Sequence, residues 1–214
     1  MSAVRFSFLL PLCLYSGLAN AFWTGVSMEI GNYDADWVFA GEAREAQIST
    51  INFQIEEKTT SELRVGASIG YLDLRLVADT AAQTKKFNGE YIGVYLRLPV
   101  RISDSLSLHG QLGFRYNSGN ESGTDIRTGI DWTESSLLLG LGLRFASLRI
   151  MPFAVYQDID GDINDDDGTL IFELDEAMSS GVRFDYFVED SAFIRLEFVS
   201  GGRAGGYLTF ARQY

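Results

Sequence analysis

Two groups of residues in this chain have the types and spacing to do chemistry. The first is an acidic segment, Asp158, Asp160, Asp162, Asp165, Asp166, Asp167, Glu173, Asp175 and Glu176, with no basic residue among them. Carboxylates this dense repel one another unless a cation or water relieves them. Counted from Asp162, oxygen donors at Asn164, Asp166 and Glu173 fall at positions 3, 5 and 12 of a calcium loop. The glycine of position 6 is replaced by Asp167, with Gly168 one residue late, and no flanking helices are evident. Calcium held by Asp162, Asn164, Asp166 and Glu173 is one reading. A solvated loop that gathers divalent ions diffusely is the other, and the one the sequence favours. No other cofactor is indicated.

The second group is His109, the sole histidine, with Ser105 and Ser107 on the same side of an extended segment. Histidine beside serine is the material of nucleophilic catalysis. These residues stand at strand spacing and close to a tight turn, so a hydrogen-bonded polar residue is the favoured reading and no enzymatic site is expected. A wider charged set, Glu29, Arg97, Arg101, His109, Arg115, Arg144, Arg183, Asp185, Arg195 and Glu197, falls on one side of segments whose other side is apolar.

Those segments must be strands. Ile92, Val94, Leu96, Leu98, Val100 and Ile102 share one face, with Tyr91, Gly93, Tyr95, Arg97, Pro99 and Arg101 on the other. Leu106, Leu108, Leu112, Phe114 and Tyr116 repeat the pattern against His109, Gln111 and Arg115, and Leu137 to Phe145 repeats it against Gly140, Gly142 and Arg144. Strand side chains alternate between two faces, so each segment has one greasy side. A transmembrane barrel turns that side to lipid and closes the charged side around a lumen. In so narrow a lumen the charges must pair or be solvated, and a packed polar filling is preferred to an ion-selecting pore.

Ten strands are expected, near 22–32, 45–56, 62–77, 89–103, 105–117, 134–146, 148–158, 177–188, 192–200 and 205–214, with eight as the alternative. Within 62–77 the apolar face changes from Leu63, Val65 and Ile69 to Leu72, Leu74 and Leu76. An extra residue swaps faces, so a β-bulge near Tyr71 is expected. Connections near 57–61, 103–105, 146–148 and 189–191 are short, whereas those near 33–44, 78–88, 118–133 and 159–176 are long and polar. Trp23, Trp37, Tyr116, Trp132, Tyr156, Tyr186 and Tyr214 lie near strand ends, where interfacial aromatic girdles belong.

Residues 1–21 read as a secretory signal peptide. Arg5 supplies the charge, Phe6 to Leu14 the apolar core, and Ala19-Asn20-Ala21 a small-x-small cleavage site. The apolar run is too short to span a bilayer as a helix. Cys13, the one cysteine, lies within it, which removes disulfides and thiolate metal sites from the mature chain. That chain, 22–214, reads as one barrel domain with 16 basic and 29 acidic residues, a charge of −13 once Arg5 is removed. Such acidity argues against nucleic-acid partners.

With the strand pattern, the alternating loop lengths and a last segment carrying Leu208, Phe210 and a terminal Tyr214, the chain resembles the small bacterial outer-membrane β-barrel proteins, the broad group of outer-membrane A- and X-like barrels. The resemblance covers the mature chain in architecture. It implies a closed antiparallel up-and-down barrel in the outer membrane, with the short turns periplasmic. It also implies that Leu208, Phe210 and Tyr214 carry the signal read by the barrel-assembly machinery, with Arg212 a departure from the apolar residue preferred there. The role expected is structural or surface interaction, as a monomer, with the long acidic loops meeting lipopolysaccharide, cations or a partner. A narrow channel for small solutes or ions is the alternative, and a soluble lipocalin-like binder the second.

Overall fold

Alternation of apolar and polar residues over most of the chain produces long strands and nothing else of regular structure among the described residues. The computed structural model describes residues 25–59, 62–77, 84–123, 128–165 and 168–214. Its strands are β1 (Gly25–Phe39), β2 (Glu42–Lys58), β3 (Arg64–Leu76), β4 (Lys85–Arg101), β5 (Leu106–Glu121), β6 (Gly129–Phe145), β7 (Leu148–Asp165), β8 (Gly168–Leu174), β9 (Met178–Glu189), β10 (Ala192–Gly201) and β11 (Arg203–Gln213). All but β8 form the wall, each antiparallel to its neighbours, and β11 returns to pair with β1 from Gly25↔Gln213 to Ala35↔Arg203. The result is a closed ten-stranded antiparallel barrel.

The wall changes character part-way up. In its lower part Ile51, Phe53, Ile92, Val94, Leu139 and Leu141 point outward and are exposed. At about 3.3 Å per residue and a tilt of about 40°, the span from Ile92 to Ile102 covers about 25 Å of height, the thickness of an outer-membrane apolar band. Above it the faces exchange. Tyr33, Ala35, Trp37 and Phe39 of β1, Leu72, Leu74 and Leu76 of β3, and Ile130 and Trp132 of β6 turn inward and are buried, while Asp36, Asp73 and Asp160 turn outward.

This exchange, not a bulge, explains the change of phase in residues 62–77. The β2–β3 and β3–β4 registers run unbroken through Tyr71, from Lys58↔Arg64 to Ala46↔Leu76 and from Arg64↔Arg97 to Leu76↔Lys85. The backbone alternates without a slip. What reverses is the medium: lipid outside and polar groups inside below Tyr71, water outside and a dry core inside above it. Tyr71, Tyr116 and Tyr156 mark the boundary from the outside. Trp37 and Trp132 are not part of any girdle, since both lie fully enclosed within the barrel. Trp23 falls outside the described residues.

The long polar connections expected at 33–44, 118–133 and 159–176 are mostly strand. β1 and β2 run on to a tight turn at Ala40-Gly41, both with positive φ. β7 continues to Asp165 and turns back into β8, a strand not anticipated in the sequence. β8 pairs with upper β7 from Asp165↔Gly168 to Asp160↔Glu173 and with the tip of β1 from Trp37↔Leu174 to Phe39↔Phe172. Above the ends of β9, β10 and β11, therefore, β1 to β8 close a second, eight-stranded ring. At the opposite end lie the short connections between β2 and β3, β4 and β5, β6 and β7, and β9 and β10, together with Gly25 and Gln213.

Candidate functional site: a polar lumen closed by an apolar plug

The upper ring is filled by apolar side chains. Trp37 stacks on Phe172 of β8 with ring centres 4.6 Å apart and meets Trp132 edge-on at 5.3 Å, and Phe39 lies 5.1 Å from Phe172. Ile48, Leu72, Leu74, Phe87, Ile130, Ile159 and Ile163 complete this core. An eight-stranded ring is just wide enough to be filled by side chains, and here it is filled with aromatics and branched aliphatics.

Directly below sits a tyrosine and arginine layer. Arg203 of β11 lies 4.0 Å over the ring of Tyr33 and Arg115 of β5 lies 4.7 Å over that of Tyr91, while Tyr33 and Tyr207 pack at 5.8 Å. Glu134 of β6 accepts from Arg115, its cross-strand neighbour, and also pairs at 2.9 Å with Arg203 from the far wall. Gln157 donates to its other oxygen at 3.1 Å. Gly70 is required here. A methyl group on it would strike the ring of Tyr91 and stand 2.6 Å from the Ile51 carbonyl.

Lower in the lumen the same device recurs twice. Arg149, Asp185 and Arg195 are successive cross-strand partners on β7, β9 and β10, and Asp185 accepts from both arginines, with Arg195 Nε at 2.6 Å. Glu56 of β2 takes Arg64 at 2.7 Å on one oxygen and Arg97 at 2.8 Å on the other. Each of these carboxylates is thus shared by two guanidiniums, which satisfies its lone pairs and compensates the cost of burying the charge. Arg183 pairs with Glu197 at 2.6 Å, and Glu29 accepts from Thr209 at 3.1 Å. A cavity of about 180 Å³ remains between these groups, lined among others by Glu29, Arg97, Arg183 and Gln111.

Of the charged set singled out in the sequence, Glu29, Arg97, Arg115, Arg183, Asp185, Arg195 and Glu197 lie in this lumen. Arg101 and Arg144 stand instead at its lower mouth, exposed, with Arg144 stacked 4.6 Å from the centre of the Phe187 ring. His109 is buried near that mouth. Its Nε2 lies 2.9 Å from the hydroxyl of Ser107, two residues away on the same strand.

Glu56, Arg64, Glu134, Arg149 and Arg203 complete the networks and were not in that set. Arg149 lies on the poorly alternating β7. Arg203 follows the glycines of the β10–β11 turn, and Glu134 stands where the face exchange begins, whereas Glu56 does alternate with the outward Ile51, Phe53 and Ile55 and could have been included from that pattern.

Of the residues spaced like a calcium loop, Asp162 and Asn164 lie on β7 and Glu173 on β8. Asn164 donates to Asp162 and accepts from Thr169 at 2.7 Å, while Glu173 stands opposite Asp160 in the ladder. Asp166 falls outside the described residues. Among the described residues no three His, Cys, Asp or Glu side chains converge as a metal site. At the other end of the wall Leu208 and Phe210 of β11 face outward opposite Ile30 and Met28, and the Arg212 guanidinium lies 5.5 Å over the ring of Tyr214.

No protein-family model matches the chain, and no curated protein matches it either. Solved structures do. The transport unit of the autotransporter AIDA-I from Escherichia coli is similar with a TM-score of 0.52 and 10% identity, over 94% of each chain. The translocator domain of the autotransporter NalP from Neisseria meningitidis is similar with a TM-score of 0.51 and 12% identity, over 92% of this chain and 90% of that one. At such identities the likeness is one of fold: this chain has the outer-membrane β-barrel architecture.

Proposed function

We propose that the chain is a closed, non-conducting β-barrel of the bacterial outer membrane that presents its acidic collar outside the cell as an interaction surface. The observation that carries this reading is the apolar plug. A water-filled path needs polar walls, and here the lumen ends against Trp37, Trp132 and Phe172. The plug therefore weighs against the narrow channel. A lipocalin-like binder would line a pocket with the greasy face that this barrel turns outward.

The collar stands above the belt with Asp34, Asp36, Glu45, Asp73, Asp158, Asp160 and Asp162 on its outer surface. Burial, and after it the neighbouring Glu45, raises the carboxyl of Asp34 above its ordinary range. Lipopolysaccharide with its counter-cations, or a basic partner, suits such a surface. The orientation follows from the short turns, which such barrels keep on the periplasmic side.

The test joins conductance with topology. In planar bilayers the purified protein gives no stepwise conductance, and steady single-channel openings would restore the channel reading. In intact cells Asp162→Cys reacts with a bulky maleimide added outside, whereas Asp104→Cys reacts only after the outer membrane is permeabilised. The reverse pattern would turn the barrel over.

A further inference from the structure

We propose that the turn-side mouth of the barrel is a binding site for a small phosphate- or carboxylate-bearing anion, held by Arg101 and Arg144 with Ser107 beside them. The mouth opens on a cavity of about 280 Å³, lined by Arg64, Arg101, Ser107, His109, Arg144 and Arg149 among others. In a chain of net charge −12 such a gathering of guanidiniums is not a reflection of composition.

The carboxylates that face these arginines are already committed. Asp185 is divided between Arg149 and Arg195, and Glu56 between Arg64 and Arg97, so each network leaves a surplus positive charge at the inner end of the cavity. Arg101 has no ion pair among the described residues. Among the described residues the Arg144 guanidinium donates to the Ala146 carbonyl, at 3.4 Å, and rests on Phe187. The acids of the rim, Glu62, Asp104 and Asp190, are exposed and make no ion pair with either arginine. Two guanidiniums presenting forked donors, with Ser107 directly opposite Arg101 in the ladder, match the oxygens of a phosphate or carboxylate. The cavity ends at the networks and the plug above, so the site is a pocket and not a passage.

Only the side from which the anion enters rests on the orientation proposed above; binding itself does not. The experiment therefore uses the full-length purified protein in a non-ionic detergent, titrated calorimetrically with inorganic phosphate at low ionic strength. Saturable one-site binding is expected. Arg101→Gln with Arg144→Gln should weaken it at least tenfold, and Arg212→Gln, outside the barrel, should leave it unchanged. Heat-modifiable migration on gels verifies that each variant is folded.

A second arm separates sources. Protein in phosphatidylcholine nanodiscs is compared with protein in nanodiscs containing phosphatidylglycerol. Weaker phosphate binding in the latter identifies a lipid headgroup as the competing occupant, and equal binding identifies a free anion. Absence of saturable phosphate binding, or equal affinity in the double variant, overturns the proposal. Either result leaves the closed barrel and its topology standing.

Discussion

Arg203 on β11 reaches across the lumen to Glu134 on β6, 2.9 Å away, although the two strands are not neighbours in the wall. Because Arg115 holds the same carboxylate from β5, the bar ties opposite sides of the barrel at a level just below the plug. Glu134→Gln removes the one charge that two buried guanidiniums share. It should cost about 3–5 kcal/mol, the usual price of stranding a buried charge. Adding Arg203→Met to that variant should recover part of the loss. Urea unfolding in bilayers measures both, and strictly additive costs would show that the bar carries no coupling.

The exchange of faces predicts that charge is tolerated by height as well as by face. Leu141→Arg, outward in the middle of the belt, should cost about 2–4 kcal/mol on refolding into bilayers. Gln47→Arg, outward on the collar, should be nearly silent. Gly142→Arg acts differently again, since even a methyl group there meets the Ser107 hydroxyl at 2.6 Å and the His109 ring at 2.9 Å. A silent Leu141→Arg would invert the assignment of faces.

Removing the plug's central ring leaves a hole that nothing fills. Trp37→Ala should cost about 3–5 kcal/mol, read as a lower urea midpoint. Ile92→Ala, on the lipid face, should cost less because acyl chains occupy the space. Equal costs would mean that the collar interior is not packed as a core.

At Gly70, the close approach of Tyr91 and of the Ile51 carbonyl leaves no room for a side chain. Gly70→Ala should destabilise the barrel by about 1–3 kcal/mol through overpacking. Gly41→Ala, at the open tip of the β1–β2 turn, meets no atom and is disfavoured only by its positive φ. The comparison of unfolding midpoints isolates the packing contribution.

The outward pair Leu208 and Phe210 lies on the seam where the barrel closes, opposite Ile30 and Met28. Phe210→Asp, or deletion of Tyr214, should lower the amount of assembled, heat-modifiable barrel in outer-membrane fractions while export continues. Normal assembly of both variants would show that the machinery does not read these positions.

The barrel wall was legible because lipid enforces alternation. Between Ile92 and Ile102, and between Leu137 and Phe145, every second residue is apolar, and one register satisfies the pattern. The collar was not legible for the same reason. Above Tyr71 apolar residues still alternate but mean the opposite, and a rule that equates apolar with outward converts that reversal into a bulge. Trp37 and Trp132 were misplaced in the same way, as girdle residues instead of plug. β8 was hidden because Thr169 to Phe172 sits inside an acidic stretch without alternation. The ionic networks were half visible: Arg97, Arg115, Asp185 and Arg195 stand within alternating segments, as does Glu56, whereas Arg149 and Arg203 do not.

The eight-stranded ring has a consequence for the order in which the chain can assemble. Every residue it needs lies between β1 and Leu174, so the ring can be complete while β9, β10 and β11 are still unplaced. Once Trp37 to Phe39 have met Phe172 to Leu174, β1 and β7 stand a fixed distance apart below. The gap left between them is the width of three strands. Closing the wall then becomes an insertion into a frame of set size instead of a search by two free edges, and much of the loop-closure entropy has been spent before the last strand arrives.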